Sequence, residues 1–430
     1  MRYDKIDSRL FTENRRNFRK QMKKRSLAVF ISNEAPTRSA DATYKWRQNP
    51  DLFYLTGIDQ EQTSLILFPD APDEKFREVL FIRRTNEHTL WWEGRKHSVE
   101  EAKEISGCEQ VMWHDRFPEV LRNLMHYADH VYLNTNEHDR SVLTHLTPEA
   151  EFARNLMEKF PLHRYERSAP IMHRLRASKS DVEIALMKRA IAITHKGFLR
   201  AMKFLKPDVW EYEVEAEITH EYMMNRATGQ AYEPIIASGV NACVLHYIAN
   251  NSQCRKGELL LMDCGAEYAN YNADLTRVIP VSGRFTARQR KIYDAVLRVL
   301  RKTAAMMRPG VTLQEINNEA AKIMESELIG LKLLTKTDLK NQTDENPAYR
   351  KYFPHGIAHF LGLDVHDVGN RYEKLRPGAV LTCEPGIYIR EEKTGIRLEN
   401  NILVTKNGPV DLTADIPIEA EEIEEIMNSK

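Results

Sequence analysis

Short apolar runs alternate with polar punctuation through the first part of the chain. SLAVFISN, TSLILFPD, EVLFIRR and HVYLNT each end in turn-forming or charged residues. Runs of this length, rich in branched and aromatic residues, predict buried strands. PEVLRNLMHYA, between the last two, repeats its apolar positions at helical spacing, and PDAPDE reads as a turn. Strands interleaved with helices predict a mixed α/β layer. The pattern loosens around PLHRYERSAPIMHRLRASKS. The chain therefore divides into an amino-terminal domain over 1–161, a connector over 162–179 and a second domain over 180–430.

The second domain opens on KSDVEIALMKRAIAITHKGFLRAMKFL, which predicts a long amphipathic helix. Glu183 can complete a capping box with Ser180, whereas Asp181 stands only two residues before it. GELLLMDCGAEYANYNADLTRVIPVSG predicts a strand from Glu258 to Cys264, a polar turn, and a return strand from Asp274 to Val281. RPGAVLTCEPGIYI puts Glu384 at a strand end before a Pro-Gly turn, and IRLENNILVT places Glu399 inside a strand-like alternation. The polar stretch 335–353 predicts a surface excursion, and IEAEEIEEIM a short docked helix.

Candidate chemistry follows from these placements. Asp263, Asp274, Glu384 and Glu399 each interrupt or end an apolar strand, where an unpartnered carboxylate is expensive to bury. HGIAHFLGLDVHDVG adds His355, His359 and His366 and is not a HExxH motif. Taken singly, an Asp at a strand end is a turn residue and a His among apolar residues is a packing residue. Taken together, four acids and an imidazole in one place would repel one another and raise their pKa values, unless cations hold them there. Cys264 and Cys383 adjoin two of these acids, but neighbours on a strand face opposite sides, so they read as small buried packing residues.

The ordered set YEPIIASGVNACVLHY, LLLMDCGAEYANYNADLTR, HGIAHFLGLDVHD, LTCEPGIYI and GIRLENNILV spans Tyr232 to Thr405. It resembles the creatinase, prolidase and methionine aminopeptidase superfamily, whose catalytic fold is called pita bread. Within that superfamily the likeness is to the Xaa-Pro aminopeptidases, and RQNPDLFYLTG and LWWEGR extend it over most of the chain. The resemblance implies an α/β (α+β) architecture in which a creatinase-like amino-terminal domain precedes the pita-bread domain. It implies two divalent metal ions per subunit, with Asp274 and Glu399 bridging, Asp263 completing one site, and His359 and Glu384 completing the other. A hydroxide shared by the metals would attack the bond before proline, and Glu384 would carry its proton to the leaving nitrogen. His246 and His366 resemble the substrate-side histidines, His355 a pocket histidine near the proline, and Arg397 a partner of the carboxylates. Tyr232 and Tyr388 resemble supporting hydroxyls, and aromatic packing is an equally ordinary role for Tyr388. Trp92 resembles a residue through which a neighbouring subunit closes the cleft, which implies a homodimer or homotetramer. The sequence departs from the pattern at Asn400, where another acid is common, and at Cys383, where a branched apolar residue is common.

An oxygen-rich shell with one imidazole favours manganese, with iron, cobalt or zinc as alternatives. Magnesium retains water and suits such a cage less well. The implied substrates are peptides with proline at position two. Prolidase, which cleaves Xaa-Pro dipeptides, shares the ligand set and remains the alternative. Noncatalytic relatives on this fold have a degraded shell, and all five ligands are present here. Methionine aminopeptidases lack the large amino-terminal domain.

Composition narrows the picture further. At 430 residues and 42% hydrophobic the chain can bury the cores of two domains. Lys plus Arg and Asp plus Glu are equal at 62 each, which gives no support to nucleic-acid or anionic-membrane partners. No GxGxxG or GKS motif suggests a nucleotide. No run is long enough for a membrane span, and MRYDKIDSRLFTENRRNF has no apolar signal core. Five cysteines form no disulfide framework, so the expected compartment is the cytoplasm.

Overall fold

The computed structural model describes residues 3–141 and 146–429. Contacts divide the chain into two compact units, an amino-terminal one over Asp4–Arg176 and a second that starts at Ala177 and takes in Tyr3.

The amino-terminal unit is built on a six-stranded sheet. Its spatial order is Gln110–Trp113, Glu78–Ile82, Ser64–Leu67, Ser26–Ile31, His130–Leu133 and Arg164–Arg167. Ser64–Leu67 runs antiparallel to both of its neighbours, and the remaining pairs are parallel. The four apolar runs of the sequence are four of these strands. They bury Leu27, Val29, Ile66 and Phe81 against Leu121 and Leu124 of the helix Phe117–Met125. The interval 162–179 contains the edge strand Arg164–Arg167 and the helix Ala169–Arg176.

The second unit opens on the helix Asp181–Phe204. Ser180 and Glu183 form its capping box, and the Glu183 carboxylate also accepts from the Tyr271 hydroxyl at 3.0 Å. This helix packs against Glu211–Met224. Among the described residues, three antiparallel three-stranded sheets follow. One orders Ile235–Ser238, Leu259–Asp263 and Thr276–Pro280; another orders Val380–Cys383, Asn400–Thr405 and Gly408–Asp411; a small third orders Tyr271–Asn272, Ala266–Tyr268 and Gly229–Gln230. Gly386–Ile389 and Thr394–Arg397 form a hairpin. Together these elements give the pita-bread architecture.

Two local expectations change. The polar turn after Cys264 is itself a small hairpin, Ala266–Tyr268 with Tyr271–Asn272. Glu399 does not lie within a strand: it occupies the break between Thr394–Arg397 and Asn400–Thr405. There the Glu399 N–H leaves its own ladder and donates to the Thr276 carbonyl at 3.1 Å. Alternation continues through the break, so the pattern alone conceals the bend. The 335–353 stretch holds a short exposed helix, Lys336–Asn341, and the carboxyl-terminal helix Ala420–Asn428 docks through Ala420 and Ile423.

Candidate active site

Backbone geometry brings the first two acids together. Asp263 ends its strand in register with Thr276, and Gly265 then passes very close to Ala273. A Cβ on Gly265 would lie 1.8 Å from the Ala273 carbonyl oxygen, so only glycine permits this approach. The Tyr232 hydroxyl stands 2.6 Å from Asp263 Oδ1 and 2.6 Å from Asp274 Oδ1. A phenol carries one proton and satisfies one of these oxygens. The other short approach requires a proton on a carboxyl group or a cation beside it.

The remaining members converge from the other sheet. His359 Nε2 lies 3.3 Å from Asp274 Oδ2 and 3.8 Å from Glu384 Oε1. His359 Nδ1 is 2.9 Å from the Phe360 carbonyl, which fixes its proton there and leaves the Nε2 lone pair directed at the acids. Glu399 Oε2 accepts from the Thr276 hydroxyl at 2.7 Å. Ligand atoms of Asp274, His359 and Glu399 fall within 4.8 Å of one another, as a bound cation requires. Glu384 is the acid most open to solvent, with 20% of its side chain exposed.

Arg397 ties this set to its surroundings. Its guanidinium donates to Asp263 Oδ2, to the Tyr388 hydroxyl at 2.9 Å and to Thr276 Oγ1 at 3.2 Å. His355 Nδ1 faces its neighbouring Gly356 carbonyl at 2.8 Å, so Nε2 accepts from Tyr388, also at 2.8 Å. Burial and then the Arg397 charge push its pKa down to about 3, against a lift from the Gly356 carbonyl and with His246 adding least, so the ring is neutral.

The electrostatics are those of too many acids for one guanidinium. Burial raises the pKa of Asp263, with Arg397 opposing and Asp274 adding to the rise. Burial also pushes Glu384 up to about 7, with His359 opposing and Asp274 reinforcing. Glu399 is raised well above the carboxylate range by burial and by Asp274 and Glu384. Burial alone would lower His359, but Asp274 and Glu384 outweigh it and raise it. Divalent cations fit this donor set: they would replace the missing positive charge and accept both carboxylate oxygens and an imidazole nitrogen.

The other expected residues fall in distinct places. His366 is exposed, and its ring stands edge-on to His359 with centroids 4.5 Å apart. His246 lies on the exposed stretch after Gly239–Cys243. Trp92 belongs to the amino-terminal unit, where it ends the helix Glu87–Trp92 and is 78% exposed. Cys264 and Cys383 are fully buried free thiols. The sequence reading missed Thr276, which links Arg397 to Glu399. Its signal was the period of two, which places it on the face of Asp274.

Residues 185–406 match the model of metallopeptidase family M24, and residues 11–132 match that of the aminopeptidase P, N-terminal domain. The chain belongs to family M24. Its relatives in that family include the Xaa-Pro aminopeptidase of Escherichia coli, 36% identical over 98% of each chain. Xaa-Pro aminopeptidase 3 of Homo sapiens is 32% identical over 93% of this chain and 80% of its own length. Among solved structures, E. coli aminopeptidase P with the inhibitor Pro-Leu superposes with a TM-score of 0.88 at 34% identity, covering 99% of each chain. The M24 match covers every candidate metal ligand. Among the described residues, no helix is long and apolar enough to cross a membrane.

Proposed function

We propose that this chain releases the amino-terminal residue from peptides whose second residue is proline, as a metal-dependent exopeptidase of family M24. The observation that carries the reading is the convergence of Asp274, His359 and Glu399, with Asp263 and Glu384 joined to them through Tyr232 and His359. Asp263, Asp274, His359, Glu384 and Glu399 would hold two divalent cations, for which the donor chemistry favours manganese. Bound there, the cations supply Lewis acidity toward water and toward a peptide carbonyl.

The chain's own groups account for the rest. Glu384 combines contact with His359 and access to solvent, so its carboxylate moves the proton from the attacking water toward the leaving nitrogen. That transfer lets the bond break, because the proline nitrogen leaves as a secondary amine and must gain a proton to depart. His246 and His366 present ring N–H groups to the scissile carbonyl as negative charge develops on it. Neutral His355, held by Gly356 and Tyr388, forms a wall of the proline pocket with the Phe353 ring edge-on at 4.7 Å. Arg397 keeps Asp263 and Tyr388 oriented.

Self-association belongs to the same reading. Leu90, Trp91 and Trp92 are 55%, 87% and 78% exposed, and Glu93 beside them accepts from the two terminal guanidinium nitrogens of Arg83, each at 2.6 Å. An exposed apolar ridge suits burial by a second copy of the chain, as a dimer or tetramer. Five free, buried cysteines suit a reducing compartment such as the cytoplasm.

The test is hydrolysis of Ala-Pro-Ala beside Ala-Pro with manganese, following released alanine. Faster release from the tripeptide is expected. Cleavage confined to the dipeptide would move the assignment to prolidase.

A further inference from the structure

Outside the metal set, a fully buried carboxylate organises the segment that carries His246. Glu211 is the first residue of the helix Glu211–Met224 and is 0% exposed. Its Oε1 accepts from the Ser238 N–H at 2.7 Å and from Asn241 Nδ2 at 3.1 Å. Its Oε2 accepts from the Tyr247 hydroxyl at 2.8 Å and from the Ser252 N–H at 2.8 Å. The Glu211 N–H in turn donates to the Ser252 carbonyl at 2.9 Å. One side chain therefore grips both ends of the 238–252 segment and, through Tyr247, its middle.

A second grip lies one helical turn on. Glu215 Oε2 accepts from Asn250 Nδ2 at 2.8 Å, and Asn250 Oδ1 accepts from the Ile236 N–H at 3.0 Å. Between these anchors the segment is open: Val244, His246, Ile248 and Ala249 are exposed. Little packing holds His246 in place, and the residue beside it, Tyr247, is tied to Glu211.

We infer that Glu211 is a positioning residue for the peptidase reaction, fixing through Tyr247 the direction in which His246 presents its ring. The inference rests on the role proposed above for His246. A carboxylate suits the position because all four partners are donors. In a glutamine at 211, the amide nitrogen would face two donors whichever way it turned, and two of the four are backbone N–H groups that cannot reverse. One half of the clamp must open while the other stays closed.

The test is a double-mutant cycle on Ala-Pro-Ala hydrolysis, with bound metal measured in each protein. Glu211→Gln should lower kcat about tenfold, the size of one lost hydrogen bond to a charged group, with KM and metal content unchanged. Combined with His246→Ala, it should add no further loss, because both changes remove the same contribution. Losses that multiply, or wild-type kcat in both Glu211→Gln and Tyr247→Phe, would overturn the inference. Wild-type turnover in His246→Ala alone would remove the histidine role and the inference with it. An impaired His246→Ala whose loss multiplies with that of Glu211→Gln identifies a failure of Glu211 with the histidine role intact. Tyr247→Phe removes one donor and leaves no uncompensated buried charge, so its cycle with His246→Ala decides the matter if Glu211→Gln does not fold.

Discussion

Arg15 in the amino-terminal unit and Arg397 in the catalytic unit are both buried, and they sit in opposite surroundings. Arg15 donates to the carbonyls of Leu55 and Ser106 at 2.7 and 2.9 Å and is ion-paired with Glu78 at 2.8 Å. Those partners are the ends of two helices, Pro50–Thr56 and Val99–Ser106, and one nearby acid. Arg397 instead meets Asp263, Tyr388 and Thr276, side chains that in turn contact His355, Glu399 and Tyr232. Burial of charge is therefore no mark of a site by itself. What distinguishes the catalytic unit is that its buried guanidinium faces more acid than it can neutralise, whereas Arg15 completes a local set of acceptors.

The comparison breaks most sharply at Glu384. Glu384→Gln would remove the proposed proton carrier and a proposed ligand oxygen together, and should cost on the order of a thousandfold in kcat. Thermal unfolding should change little, and retained turnover would remove Glu384 from the chemistry. Arg15→Met should act on stability instead: it leaves Glu78 to Arg19 alone and strips two helix-end carbonyls of their donor, for about 3 kcal/mol in denaturant unfolding. The folded fraction should keep wild-type kcat/KM.

Arg397→Met should give the reverse profile, about a hundredfold loss in metal affinity by calorimetry with the fold intact. If Arg397→Met unfolded the chain as Arg15→Met does, the contrast between the two arginines would fail. Gly265→Ala sharpens the geometric part of the contrast. Its Cβ must displace the Ala273 carbonyl, at about 2 kcal/mol in unfolding free energy, and should separate Asp263 from Asp274 enough to weaken metal binding. Trp92→Ala has the smallest effect on stability, below about 0.5 kcal/mol, since the ring is exposed. Its readout is sedimentation, where a shift to smaller species is expected.

Much of this was legible in the chain itself. The strand runs SLAVFISN and HVYLNT, the Ser180–Glu183 cap and the docking of Ile423 follow from periodicity and capping chemistry. The acids could be picked out because each breaks an apolar run. What periodicity could not supply was the route between elements. Glu399 lies in a break because its N–H pairs with Thr276, a residue far away in sequence. The role of Gly265 depends on a backbone eight residues ahead, and Glu211 reads as an ordinary helix-start acid until Ser238, Tyr247 and Ser252 close around it. Such features depend on contacts between distant segments, which leave no local pattern.

Divalent cations would hold the acid-rich set together, and the reaction would need them. The direct measurement strips metal by dialysis against chelator, then returns manganese while following bound metal and Ala-Pro-Ala hydrolysis together. Turnover should be lost on stripping and return in step with occupancy, reaching its maximum at two cations per chain. Full turnover in the metal-free chain would contradict it.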